Sequence, residues 1–117
     1  MAGNILRAVV FDFDGLILDT ESTLYGTWVE TYARFGCELP PDLWTANIGG
    51  YSYETFHPLD HLEECLGRPI DRDAVNNARR EVYRARVRVQ PPMPGAAEAV
   101  RAARDLGLRL GVASSSE

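Results

Sequence analysis

Apolar positions divide the chain into two kinds of stretch. Ala8-Val9-Val10-Phe11 is an unbroken run of strand formers that passes directly into Asp12-Phe13-Asp14-Gly15. A continuous rather than alternating run predicts a strand buried on both faces of a parallel sheet. Leu108 to Ala113 is a second such run and ends in Ser114-Ser115-Ser116. Between the two, the period is that of helices. Leu24, Trp28, Thr31 or Tyr32, and Phe35 fall on one face of a helix over 20–35, which Asp19 or Thr20 can cap and Gly36 can end. Pro40-Pro41 opens a short helix to Asn47, closed by Gly49-Gly50. Residues 53–66 give a third, bent at Pro58 and stopped by Gly67, and Asp71 caps a fourth that reaches Val89. Val89-Gln90-Pro91-Pro92 is a stiff extended segment. A last helix then runs from Pro94-Gly95 through Leu106, with Ala96, Val100 and Ala103 facing inward and Gly107 as its stop.

Strand, four helices, linker, helix, strand reads as an α/β fold. Residues 1–15 and 93–117 form part of a Rossmann-like parallel-sheet core, and 16–92 form an inserted helical domain. Two parallel strands leave both sheet edges open and cannot bury its faces. The expected core is therefore partial, and a second polypeptide segment completing it is one expected partner.

Composition narrows the classes. The 117 residues are 45% hydrophobic and 25% charged, which is ordinary for a soluble domain. The net charge of −5 argues against broad nucleic-acid binding. Charge is uneven: residues 1–60 carry two arginines and nine acids, and residues 61–117 carry ten arginines and eight acids. All 12 basic residues are arginine, and there is no lysine. Arg7, Asp12 and Asp14 break the apolar stretch from Ile5 to Leu18, which excludes a membrane-spanning helix or a secretory signal there. A cytoplasmic protein with no membrane partner is expected. Cys37 and Cys65 lack metal-type spacing and read as separate thiols.

The chemistry concentrates at the strand ends, where open parallel sheets hold their ligands. Asp12 and Asp14 end one strand, and Ser114 ends the other. Two carboxylates two residues apart on an extended strand point the same way and need a cation between them. A hard divalent ion such as Mg²⁺ prefers such oxygens. A phosphate arriving there meets a nucleophile in Asp12, an acid in Asp14, the metal, and the Ser114 hydroxyl. Those are the parts of phosphoryl transfer through an aspartyl-phosphate. On these residues alone, turn and cap roles for the two aspartates remain the alternative.

The string Val10-Phe11-Asp12-Phe13-Asp14-Gly15-Leu16-Ile17-Leu18-Asp19-Thr20-Glu21 resembles the first motif of the haloacid dehalogenase-like superfamily. Pro94-Gly95-Ala96 through Gly111-Val112-Ala113-Ser114-Ser115-Ser116 is similar to that superfamily's helix and second motif, and the insertion matches the helical cap of its subfamily I in position. The resemblance implies Asp12 as nucleophile, Asp14 as general acid/base, and Ser114, Gly15 and Ser115 at the phosphate. It also implies Mg²⁺ held by the Asp12 carboxylate and the Asp14 backbone carbonyl. Dehalogenases and phosphonatases of the superfamily lack the second aspartate, and phosphonatases use a cap lysine. β-Phosphoglucomutases place a histidine where this chain has Leu24. What the resemblance leaves is a phosphatase acting on a small phosphomonoester. A sugar-phosphate mutase is the alternative within enzymes, and a non-catalytic fragment or interaction module is the alternative outside them. The superfamily's lysine and further metal acids follow the second motif, so the resemblance covers its N-terminal part.

Other residues carry two readings each. His57 and His61, four apart, could hold a metal from one helix face, but capping or exposure explains them more simply. Arg79, Arg80, Arg84, Arg86 and Arg88 could meet an anionic substrate, against a solvated helix face interleaved with Glu81. Tyr51 or Tyr53, in the loop Gly49 to Tyr53, could line a leaving-group pocket or pack within the cap. Trp28, Trp44 and Phe56 read as cap core. Thr20 and Glu21 stand at the entrance between core and cap, where helix capping accounts for at least one of them.

Overall fold

The computed structural model describes residues 3–47 and 56–114. Its elements run β1 (Ala8–Asp12), α1 (Thr20–Arg34), α2 (Pro41–Thr45), α3 (Pro58–Leu66), α4 (Arg72–Val89), α5 (Ala96–Asp105) and β2 (Arg109–Ala113). The chain divides into two compact units: Met1–Glu21 with Val89–Glu117, and Ser22–Arg88. The segments 16–21 and 89–92, read from the sequence as parts of the insertion, group with the first unit.

In the first unit, β1 and β2 pair in parallel, in register from Ala8 opposite Arg109 to Asp12 opposite Ala113. The crossover between them contains α5, as parallel pairing requires. The helix starts behind Gly95, whose φ of 84° is left-handed and suits glycine. Its inner residue Ala103 is buried, while Ala96 and Val100 are half-buried. The expectation of a strand buried on both faces is corrected here. Burial alternates along β1: Val9 and Phe11 are half-buried, whereas Val10 is 67% exposed. In β2, Leu110 and Val112 are 42% and 62% exposed. One crossover helix cannot cover both faces of a sheet, so apolar side chains selected for a buried strand stay open.

The second unit is helical and builds its own core from Trp28, Tyr32, Leu39, Leu59 and Leu62. Trp44 and Phe56 pack against it half-buried, so the three aromatics read as cap core lie in or against that cluster. His57 caps α3, accepting the Leu59 amide on Nδ1 at 3.1 Å. Pro58 does not bend the helix. It occupies its first turn, where a missing N–H costs nothing. Gly67 ends α3 in the left-handed region at φ 66°. Asp71 Oδ1 accepts the Ala74 amide at 3.1 Å and so starts α4. The arginines of α4 are not all solvated. Arg79 faces inward and is buried, its guanidinium 4.2 Å from the centre of the Trp28 ring and bonded to Asn76 Oδ1. Arg86 instead pairs with Glu30 at 2.8 Å on the surface. The loop holding Tyr51 and Tyr53 lies outside the described residues.

Candidate active site

The site forms where β1 and β2 end together. Because Asp12 pairs with Ala113, the next residue of β2, Ser114, arrives at the level of the turn that follows β1. That turn is closed by its own backbone. The Phe13 carbonyl accepts the amides of Leu16, Ile17 and Leu18 at 3.0–3.3 Å, and the Gly15 amide donates to the Leu18 carbonyl at 2.7 Å. Gly15 takes φ 75°, a conformation that L side chains rarely adopt. A Cβ there would also sit 3.6 Å from the Glu21 side chain, which lies along the turn.

This geometry brings together three of the residues singled out from the sequence. Thr20 Oγ1 donates to Asp14 Oδ1 at 2.9 Å, and Ser114 Oγ donates to Asp14 Oδ2 at 2.9 Å. Thr20 is buried, Asp14 is half-buried, and Asp12 ends β1 exposed. Asp14 is thus held by one hydroxyl from each side of the chain, 6 and 100 residues away. Thr20 read as a cap in the sequence. Its bond to Asp14 was legible only as proximity to the motif, since nothing in the spacing of Asp14 and Thr20 shows that the turn folds back. Ser115 lies outside the described residues.

The arrangement can receive an anion and a hard cation. With both Asp14 side-chain oxygens accepting hydroxyls, the donors offered to a metal are the exposed Asp12 carboxylate and the Asp14 backbone carbonyl. Such a partial, all-oxygen set suits Mg²⁺, which keeps several of its waters. Among the described residues, no group of three or more His, Cys, Asp or Glu side chains could hold an ion by itself. His57 is occupied as a cap, and His61 Nδ1 lies 3.1 Å from the Tyr32 hydroxyl within the helical unit.

Residues 6–117 match the family described as haloacid dehalogenase-like hydrolase, and the chain belongs to that family. A curated relative, "Putative phosphatase YhcW" of Bacillus subtilis (strain 168), is 38% identical over 113 residues, which are 97% of this chain and 50% of that protein. Solved structures share the fold. A "putative beta-phosphoglucomutase" from Thermotoga maritima aligns with a TM-score of 0.70 at 24% identity, over 95% of this chain and 50% of its own. CbbY from Rhodobacter sphaeroides, in complex with phosphate, aligns at 0.63 and 20% identity, over 97% and 52%. The chain therefore spans about half the length of the relatives it matches. Among the described residues, no helix is long and apolar enough to cross a membrane.

Proposed function

We propose that the protein carrying this chain is a Mg²⁺-dependent phosphohydrolase of small phosphomonoesters, working through an aspartyl-phosphate on Asp12. The observation that carries this reading is the Asp14 carboxyl group, held by Thr20 and Ser114 just beyond the exposed Asp12 at the ends of two parallel strands. The family and the phosphatase named among its relatives support it.

Asp12 attacks phosphorus as the leaving oxygen departs, and Asp14 gives that oxygen its proton. Asp14 then takes a proton from the water that hydrolyses the acyl phosphate, which regenerates both side chains. As an acceptor of two hydroxyl bonds Asp14 is oriented, and a second lone pair on each oxygen is left to carry the proton. Ser114 is placed to exchange its bond to Asp14 for one to a phosphate oxygen. Bound Mg²⁺ would neutralise charge between phosphate and Asp12. Two free cysteines, Cys37 and Cys65, accord with a reducing, cytoplasmic setting.

Asp12→Asn tests the assignment. Turnover should fall to background, and the acid-stable, hydroxylamine-sensitive phosphoenzyme expected of the wild type should be absent. Retained turnover in that variant ends the nucleophile role. Product analysis separates the mutase reading, because a mutase returns an isomeric phosphate and a phosphatase releases inorganic phosphate. A second polypeptide segment is favoured by the open apolar side chains Val10, Leu110 and Val112. Denaturing mass spectrometry of natively purified material would show that segment or a longer parent chain. If the 13.0 kDa species alone accounts for a folded sample, the non-catalytic reading replaces the enzyme.

A further inference from the structure

We infer that Gln90 is a positioning residue for Asp14, acting through the Asp19–Thr20 peptide; the inference rests on the phosphatase reading. Gln90 is distant in sequence from every residue of the motif, yet its side chain reaches the motif's end. Its Nε2 donates to the Asp19 carbonyl at 3.0 Å across 71 residues of chain.

Both ends of this link are restrained. Gln90 precedes Pro91, which confines its backbone to the extended region. Three residues later the Met93 amide donates to the Ile17 carbonyl at 2.7 Å, so the Gln90–Met93 segment is tied to the turn at two points. The Asp19 carbonyl belongs to the same planar peptide unit as the Thr20 nitrogen. Pinning its oxygen adds to the restraint that the start of α1 puts on that plane, and so narrows the direction in which the Thr20 side chain leaves the backbone. Thr20 is β-branched, with few χ1 choices, and is only 3% exposed. Its hydroxyl is therefore aimed by its backbone, and it is aimed at Asp14 Oδ1. The route runs from the Gln90 amide to the Asp19 carbonyl, then through the Thr20 hydroxyl to the Asp14 carboxylate. The two end steps are hydrogen bonds and the middle one is the covalent chain.

Gln90→Glu is the incisive change, because it keeps shape and length but removes the donor. Two measurements read its effect. The first needs no turnover: three-bond couplings that report the Thr20 χ1 angle in the full-length protein carrying this chain. Wild type should show one rotamer and Gln90→Glu an average of several, while Thr31, bonded to the Thr27 carbonyl elsewhere, keeps its values as a control for folding. The second is leaving-group dependence in the full-length protein carrying this chain. A misaimed general acid matters for an alkyl phosphate, whose leaving oxygen needs a proton, and little for p-nitrophenyl phosphate. Gln90→Glu should lose about tenfold in kcat on the alkyl ester and less than about twofold on the aryl ester, a fraction of what removing an acid outright costs. Asp14→Asn should show the same discrimination more strongly. Equal losses on both esters, or unchanged Thr20 couplings, overturn the positioning role and leave the phosphatase reading standing. A wild-type protein that cleaves neither ester overturns the phosphatase reading, and the inference with it.

Discussion

Replacing Tyr32 by phenylalanine removes a single oxygen from the centre of the helical unit. Tyr32 is fully buried, and its hydroxyl lies 2.6 Å from the Pro58 carbonyl and 3.1 Å from His61 Nδ1. The phenol has one hydrogen, and the short contact gives it to Pro58. The oxygen must then accept from His61, which places the imidazole proton on Nδ1. The ring stack of Tyr32 on His61, at 5.7 Å between centroids, survives the substitution, but both polar partners lose a bond. Pro58 belongs to the first turn of α3, so its carbonyl keeps the helix ladder, and the larger loss falls on His61. A net cost of about 1–2 kcal/mol follows. With a urea slope of about 1–1.5 kcal/mol/M for a small domain, the unfolding midpoint drops by about 1 M. The pH dependence supplies a second signature. Burial first, and then the neighbouring Cys65 and Cys37, push the phenol above its ordinary value near 10.0. A folded value raised above the unfolded one means that this stability is complete below about pH 10 and is lost as pH rises beyond it. Wild type should therefore weaken as pH rises above about 10, and Tyr32→Phe should have a flatter alkaline limb. A midpoint change under about 0.3 M, together with an unchanged alkaline limb, would refute the hydrogen-bond assignment.

Two further outcomes test other parts of the molecule. Glu63 is held below the usual carboxylate range, first by its hydrogen bond from Arg72 and then by the Ile70 amide. A lowered folded value gives stability that is present above the unfolded pKa, near 4.5, and fades as pH falls through the folded one. Arg72→Met should therefore reduce the denaturation midpoint at neutral pH, with the gap to wild type closing as acid protonates Glu63; a gap independent of pH rejects the pairing. Chelation with EDTA should abolish turnover of a phosphomonoester and Mg²⁺ should restore it, whereas the far-ultraviolet dichroism stays constant, because backbone hydrogen bonds close the turn after β1 and pair β1 with β2.

How much of this was legible in the chain depends on the range over which each signal acts. The helices could be read because their signals are local: Pro58 and Gly67 bracket α3, and Asp71 starts α4 through its own side chain. The run Ala8 to Phe11 revealed a strand but misjudged its burial. Continuous apolarity records the environment that a strand is selected for, and here only one crossover helix is present to supply it. Arg79 was misread for a related reason: five arginines on one helix look solvated, and only the packed position of Trp28 shows that one guanidinium turns inward. The register of β1 on β2 brings Asp14 and Ser114, both singled out from the sequence, together at one end of the sheet beside Asp12. The contacts that orient Asp14 lay out of reach, because Thr20 depends on how a six-residue turn closes and Gln90 on a return of the chain 71 residues later. A motif singles out candidate groups, but the bonds that hold Asp14 are made only after the chain has folded back. The residues that set its aim sit at the two places where the chain leaves and re-enters the sheet unit. For that reason a substitution at Gln90, remote from the motif in sequence, is expected to act on the chemistry rather than on stability alone.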